Sequence, residues 1–260
     1  MPETITSPQN PKIKDLLVLE TQSRESKARG LFVVEGRREF ERACAAGFEP
    51  VTVFVREGEA EALTAKAHFL VSHRVYEKIA WREGTEGIVA VMRVRVTNLE
   101  SLQLSASPLV LVLERVEKPG NLGAVLRSAD AAGVDAVLVC DPLTDLYNPN
   151  LIRASLGAVF SVPVVACHSD EAAAWLKRQG IAILTAQLQD SELYYETDMV
   201  RPTALVFGAE DTGLSPFWRE RADAHIRIPM AGMMDSLNVS VSAAILAFEA
   251  VRQRNQQKRQ

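Results

Sequence analysis

Apolar and polar positions along this 260-residue chain fall into short apolar runs separated by helical repeats. Ser7-Pro-Gln-Asn-Pro-Lys opens a helix, with Asn10 placed to cap it and Pro11 at its first position. Ile13, Leu16, Leu17 and Leu19 continue at helical spacing to about Gln22. The apolar run Leu31–Val34, an amphipathic helix over Arg37–Ala46 stopped by Gly47, and the run Val51–Val55 predict a strand-helix-strand unit. A helix near Glu59–Ala67, the short run Phe69–Val71, a helix over Ser72–Ile79 and a strand over Gly87–Met92 complete a first α/β domain.

Residues 93–107 carry weak periodicity and many small polar side chains, which marks a linker. The expected division is a smaller domain over 1–98 and a larger one over 99–260. Strands and helices alternate in the second: Leu109–Leu113, helix Leu122–Ala132, Ala136–Cys140, helix Leu151–Ala158, Val162–Val165, helix Glu171–Gln179, Ile181–Thr185, Ala204–Phe207, Ile226–Ile228 and a closing helix Asn238–Arg254. Such alternation predicts an α/β fold with a mainly parallel sheet covered on both faces. No internal repeat interrupts it.

Composition narrows the function classes. Hydrophobic residues make up 47% and charged residues 24%, the balance of a globular chain able to bury a large core. The longest aliphatic run, Leu109–Leu113, is far short of the roughly 20 residues a membrane span needs, and the N-terminus lacks the basic and apolar regions of a signal peptide. A cytoplasmic protein without membrane contact is expected. Cys44, Cys140 and Cys167 are odd in number and widely spaced, so they read as buried or idle thiols rather than a disulfide framework or zinc knuckle. His68, His73, His168 and His225 show no metal spacing, and no metal is expected. The net charge of −4 conceals an asymmetry: residues 1–98 carry 15 Lys and Arg against 14 Asp and Glu, residues 99–260 carry 14 against 19. The chain lacks the basic excess of a protein that coats nucleic acid indiscriminately.

In a parallel sheet, ligands lie beyond the carboxyl ends of the strands. Three such loops are rich in chemically or conformationally special residues: Glu114–Gly123, Gly208–Pro216 and Pro229–Ser240. The first superficially matches a dinucleotide fingerprint, since Gly120 and Gly123 open a helix and Asp141 ends the next strand. The spacing excludes it, because six residues separate Leu113 from Gly120 and the motif is only G-x-x-G.

Together the three loops resemble the three motifs of the SPOUT methyltransferases, specifically the TrmH/SpoU family of RNA ribose 2′-O-methyltransferases. Asn121, Gly123 and Arg127 match the first motif. Phe207, Gly208, Glu210, Gly213 and Leu214 match the second. Ile228, Pro229 and Met230 followed by Ser236, Leu237, Asn238, Val239 and Ser240 match the third. Residues 5–95, with Phe32-Val-Val-Glu-Gly-Arg-Arg-Glu-Phe, look like the substrate-binding domain often fused ahead of this catalytic domain. The chain departs from the family at Ala209-Glu210-Asp211, where Asn-Glu-Gly is usual, and at Lys118, where an acidic residue is common before the proline.

The resemblance implies a SPOUT catalytic domain with a C-terminal trefoil knot, an N-terminal RNA-binding domain, and S-adenosylmethionine as methyl donor. It implies a cofactor site built from Thr185, Ala186, Phe207, Gly208, Glu210, Gly213, Ile228, Met230, Ser236 and Leu237, and a catalytic set of Arg127, Asn121, Glu210, Ser236 and Asn238. The residue types suit that chemistry. In-line displacement at a sulfonium methyl needs no metal or covalent intermediate, so positioning carries the catalysis. Glycines let backbone approach a flat base, while Ile228, Met230 and Leu237 can sandwich it.

In the family the arginine corresponding to Arg127 acts on the 2′-hydroxyl, which assigns Asn121 to orient it. A guanidinium, protonated far above neutral pH, is a poor base, so stabilising an alkoxide or clamping a neighbouring phosphate stands beside a base role for Arg127. Asn238 is placed either to hold the ribose or to cap the final helix. Ribosomal RNA is the expected substrate, with transfer RNA as the alternative. The rival class, a non-catalytic RNA-binding protein retaining the fold, is opposed by the intact Asn121, Arg127, Ser236 and Asn238. On the closing helix, Val241, Ala244, Ile245, Phe248 and Val251 form one apolar side, and Val239, Ala243, Leu246, Ala247 and Ala250 another. One side meets the sheet, and the second predicts a homodimer, as the resemblance also does.

Overall fold

The computed structural model describes residues 2–59, 61, 65–81 and 86–258. The chain divides into two compact units, one of Met1–Val96 with Tyr147–Ser161, the other of Thr97–Leu146 with Val162–Gln260.

The first unit is built on a five-stranded sheet of β1 (Glu3–Ile5), β2 (Leu31–Glu35), β3 (Pro50–Arg56), β4 (Phe69–Val71) and β5 (Ile88–Arg93), in the order β1-β4-β3-β5-β2. Here β4 runs parallel to β1 and β3, and β5 runs antiparallel to β3 and β2. Around it lie α1 (Pro11–Thr21), α2 (Ser23–Arg29), α3 (Arg37–Ala45) and α4 (His73–Ile79). Helix α1 starts because Asn10 accepts a hydrogen bond from Lys12 N at 2.9 Å and Pro11 supplies a preset first turn. Its apolar stripe, Ile13, Leu16 and Leu19, packs into one core with Phe54, Val75 and Val89. The helix expected near Glu59–Ala67 falls partly outside the described residues. Strand β1 and helix α2 do not stand out in the sequence, because the one is three residues long and the other lacks a full apolar stripe.

The second unit holds a seven-stranded, all-parallel sheet. Its chain runs β6 (Leu109–Glu114), α5 (Pro119–Ala132) and β7 (Ala136–Cys140), and then leaves for the first unit as α6 (Pro149–Ala154) and α7 (Ala158–Ser161). It returns as β8 (Val164–Cys167), α8 (Ser169–Arg178), β9 (Ala182–Ala186), β10 (Glu192–Leu193), β11 (Thr203–Phe207), α9 (Pro216–Arg221), β12 (Ala224–Arg227) and α10 (Val239–Gln257). The strand order is β10-β12-β9-β11-β6-β7-β8. Strands β6, β7 and β11 are buried along their whole length, as a parallel sheet covered on both faces requires.

Two sequence expectations need correction. A single helix over Leu151–Ala158 is broken in two, because Leu156 and Gly157 adopt φ of 52° and 81°, which no α-helix accommodates. Helix α9 and strand β10, absent from the expected set, complete the sheet edge and its cover; each is six residues or fewer. The thiols are free, and Cys140 and Cys167 lie 4.0 Å apart on neighbouring strands.

Candidate active site

Three loops leave the carboxyl ends of β6, β11 and β12, and each is shaped by a local device. After β6, the buried Glu114 accepts hydrogen bonds from Ser215 N at 2.8 Å and Ser215 Oγ at 2.5 Å, which ties the first loop to the start of α9. After β11, Gly208 crosses so close to Gly213 and Leu214 that a Cβ would run into their backbone; Gly213 itself has φ of 65°. After β12, the loop ends where Asn238 Oδ1 accepts from Ser240 N at 2.9 Å and starts α10.

The loops after β11 and β12, with the segment after β9, line a cleft of about 270 Å³. Ala186, Phe207, Gly208, Glu210, Gly213, Ile228, Met230, Ser236 and Leu237 line it, all expected for the cofactor. Thr185 does not line it: the residue is fully buried, with Oγ1 2.6 Å from His225 Nδ1. A second hollow of about 300 Å³ opens alongside, lined by Arg115, Lys118, Asn121, Leu143 and Asp211 among others, and it shares Ala209 and Glu210 with the first.

Glu210 stands at this shared wall. Its Oε1 accepts from Asn121 Nδ2 at 2.6 Å and Asn238 Nδ2 at 2.5 Å, and its Oε2 accepts from Lys118 Nζ at 2.9 Å. Asn238 Nδ2 also lies 3.2 Å from Asn121 Oδ1. The bonded Glu210 carboxylate holds the Lys118 ammonium above its ordinary range. Asn238 therefore both caps α10 and joins the polar network, with different atoms of one carboxamide.

The expected contact between Asn121 and Arg127 is not made. Six residues apart on α5, they are separated by about 9 Å along the axis and point to different sides. Asn121 spends its carboxamide on Glu210 and Asn238. Arg127 is exposed, lines neither hollow, and makes no ion pair or hydrogen bond among the described residues.

The cleft also contains residues that sequence reasoning missed: Gln187, Arg219 and Asp235. Gln187 follows a strand end, the signal that could have found it; Arg219 lies on α9, where none exists. Gln187 Oε1 and Arg219 Nε are buried without a hydrogen-bond partner, one acceptor and one donor in the same cleft. A ligand carrying both a donor and an acceptor satisfies them, and S-adenosylmethionine carries both. Apolar Ile228 and Leu237 beside close-approaching backbone suit its adenine, so the residues present fit the cofactor. Among the described residues no group of three His, Cys, Asp or Glu is placed to hold a metal ion.

Comparison with known proteins agrees with this arrangement. Residues 108–248 match the SpoU rRNA methylase family, and residues 10–90 match the MRM3-like substrate binding domain. A 23S rRNA (guanosine(2553)-2'-O)-methyltransferase of Bacillus subtilis is 30% identical over 247 residues, covering 94% of this chain and 97% of that protein. The crystal structure of an RNA 2'-O ribose methyltransferase has a TM-score of 0.84 at 42% identity, covering 97% of this chain and 99% of its own. An AdoMet-bound rRNA methyltransferase from Sinorhizobium meliloti reaches a TM-score of 0.88 at 29% identity, over 96% of this chain and 97% of its own. With the loops after β11 and β12 lining one cleft, the loop after β6 lining the hollow beside it, and residues 108–248 matched, the chain belongs to the SpoU rRNA methylase family.

Proposed function

We infer that this protein transfers a methyl group from S-adenosylmethionine to a ribose 2′-hydroxyl of ribosomal RNA. The observation that carries the reading is Glu210, which walls the cofactor cleft on one side and the hollow containing Asn121 on the other. When bound, the cofactor supplies an electrophilic sulfonium methyl. Asn121, Asn238 and Lys118 fix the Glu210 carboxylate, whose oxygens are then oriented towards a ribose hydroxyl entering the second hollow. Positioning of this kind supplies much of the acceleration open to an in-line transfer, on the order of 7–11 kcal/mol for well-oriented reactants. Arg127 stabilises the alkoxide or clamps the adjoining phosphate. Ser236, on the cleft wall, completes the polar set.

Arg127 is exposed and lines neither hollow of its own chain, so we assign its action to the cleft of a second subunit. The exposed side of α10 supports a homodimer. Val241 and Phe248 are 46% and 47% exposed, whereas Val239, Ala243, Leu246, Ala247 and Ala250 are buried. Helix α10 packs on α5, which carries Arg127, and on β6 and β11. The return of α10 to these elements, and the insertion of β12 between β9 and β10, support a trefoil knot in this segment. The domain over 1–98 reads as the RNA-recognition part, supported by its substrate-binding match and its lesser acidity. No helix among the described residues is long and apolar enough to cross a membrane; we place the protein in the cytoplasm, where ribosomal RNA is available.

The test is to map alkaline-hydrolysis-resistant positions in RNA from cells with and without the protein. One 2′-O-methyl position in large-subunit ribosomal RNA should vanish in its absence. A loss confined to transfer RNA would redirect the assignment, and no loss in any RNA would remove it.

A further inference from the structure

We propose that Arg219 receives the carboxylate of the cofactor's methionyl half, which makes it a specificity-determining residue for S-adenosylmethionine over analogues that lack the carboxylate. This rests on the cofactor reading of the cleft given above. Arg219 lies on α9 and lines that cleft. Its Nε is buried with no hydrogen-bond partner, and no carboxylate among the described residues pairs with its guanidinium. The residue as a whole is half-buried, but a buried donor left without an acceptor is costly, so a ligand acceptor that reaches Nε completes the site.

The chemistry of the missing partner follows from what surrounds it. Four charged side chains line the cleft: Arg219, Arg227, Glu210 and Asp235. Glu210 is held by Lys118, Asn121 and Asn238 and makes no bond to Arg219. Arg227 leans on Ser191 Oγ at 3.5 Å. Asp235 sits on the exposed loop after β12 and makes no bond to Arg219. The planar fork of a guanidinium matches a carboxylate through two parallel hydrogen bonds. Of the polar groups on S-adenosylmethionine only the α-carboxylate is anionic; the adenine edge and ribose hydroxyls are neutral, and the ammonium and sulfonium are cations that Arg219 repels. Gln187 divides the work. Its Nε2 donates to Gln189 O at 2.9 Å, which leaves Oε1 as an orphan acceptor for a donor of the ligand, a role the carboxylate cannot fill.

Calorimetric titration with two ligands, S-adenosylmethionine and decarboxylated S-adenosylmethionine, separates a carboxylate contact from a packing role. Wild-type protein should bind the first more tightly by about 10- to 100-fold. Arg219→Gln should lose about that factor for S-adenosylmethionine and bind the decarboxylated ligand at least as tightly as wild type does, while Arg219→Lys should recover part of the loss. Equal weakening of both ligands in Arg219→Gln overturns the assignment. So does a wild-type protein that does not distinguish them, a comparison that stands even if the variant fails to fold. Wild-type protein that binds neither ligand would instead overturn the cofactor reading of the cleft itself.

Discussion

Arg127 and Asn121 belong to one sequence motif, yet the fold gives them different work. Asn121 is held by Glu210 and Asn238, residues 89 and 117 positions away. No spacing rule reports contacts of that kind, which is why the motif is legible in sequence and the network is not. Arg127 is exposed and unpaired among the described residues, so its side chain supports neither the fold nor the cleft. Arg127→Ala should therefore leave cofactor affinity and thermal stability near wild type and lower single-turnover methyl transfer by about 10²–10³-fold, the cost of one preorganised electrostatic donor. Transfer at the wild-type rate would remove Arg127 from the mechanism. Partial rescue by Arg127→Lys would favour charge over bidentate recognition.

A second residue, in the N-terminal unit, carries a prediction about pH. Burial raises the Glu20 carboxyl from its ordinary 4.5 to about 8, opposed by a hydrogen bond from Trp81 and reinforced by the Glu35 carboxylate. The folded protein thus keeps a proton that the unfolded chain has released. The stability due to that proton is present below the unfolded pKa and is lost as pH climbs to about 8, at up to about 1.4 kcal/mol per pH unit. Glu20→Gln should match wild type at pH 4 and melt at a higher temperature at pH 8.5. Melting curves that differ by a constant offset from pH 4 to 9 would contradict the linkage.

At the scale of elements, strands β6, β7 and β11 are legible because continuous apolar runs bounded by turn residues have no other reading in an alternating chain. The helices α6 and α7 are the instructive failure. Apolar spacing from Leu151 onwards does not reveal that Leu156 and Gly157 turn left-handed, nor that the segment belongs to the first unit. There Phe160 packs 5.2 Å from Phe48 and 5.8 Å from Phe32, while Tyr147 stacks on Phe32 at 4.4 Å. Phe160 is only 6% exposed, so Phe160→Ala should cost about 3–5 kcal/mol in urea unfolding of the first unit. A change below about 1 kcal/mol would mean that residues 147–161 are an appendage rather than part of that core. The same contacts bear on dissection of the chain, because a fragment starting at residue 99 leaves Phe160 without Phe32 and Phe48. Cofactor binding by such a fragment needs that apolar face made polar first.

For the whole molecule, the resemblance leads to a dimer, and the structure adds a physical reason for one. The two apolar sides expected on α10 differ in burial: Val239, Ala243, Leu246, Ala247 and Ala250 are buried, while on the other side Val241 and Phe248 are exposed and Ala244, Ile245 and Val251 half-buried. An exposed apolar strip on a long helix is the kind of surface a two-fold partner covers, since the same strip is then buried twice. Helix α5 packs beside α10, so an interface along α10 also draws in the element that carries Arg127. A shared site is then expected, with the cleft of one subunit completed by Arg127 of its partner. Mixed dimers distinguish the arrangements. An Arg127→Ala subunit keeps its own cleft, and a Gly208→Ala subunit, whose added Cβ strikes the backbone of Gly213 and Leu214, keeps its own arginine. Combining the two inactive parents should restore one working site per mixed dimer if Arg127 acts across the interface, and none if it acts within its own chain. Sedimentation at assay concentration supplies the independent check: a monomer with full activity would sink both the dimer and the shared site. Phe248→Glu, which puts a charge in the strip without touching the cleft, should dissociate the dimer and lower transfer to the level of Arg127→Ala while cofactor affinity is retained.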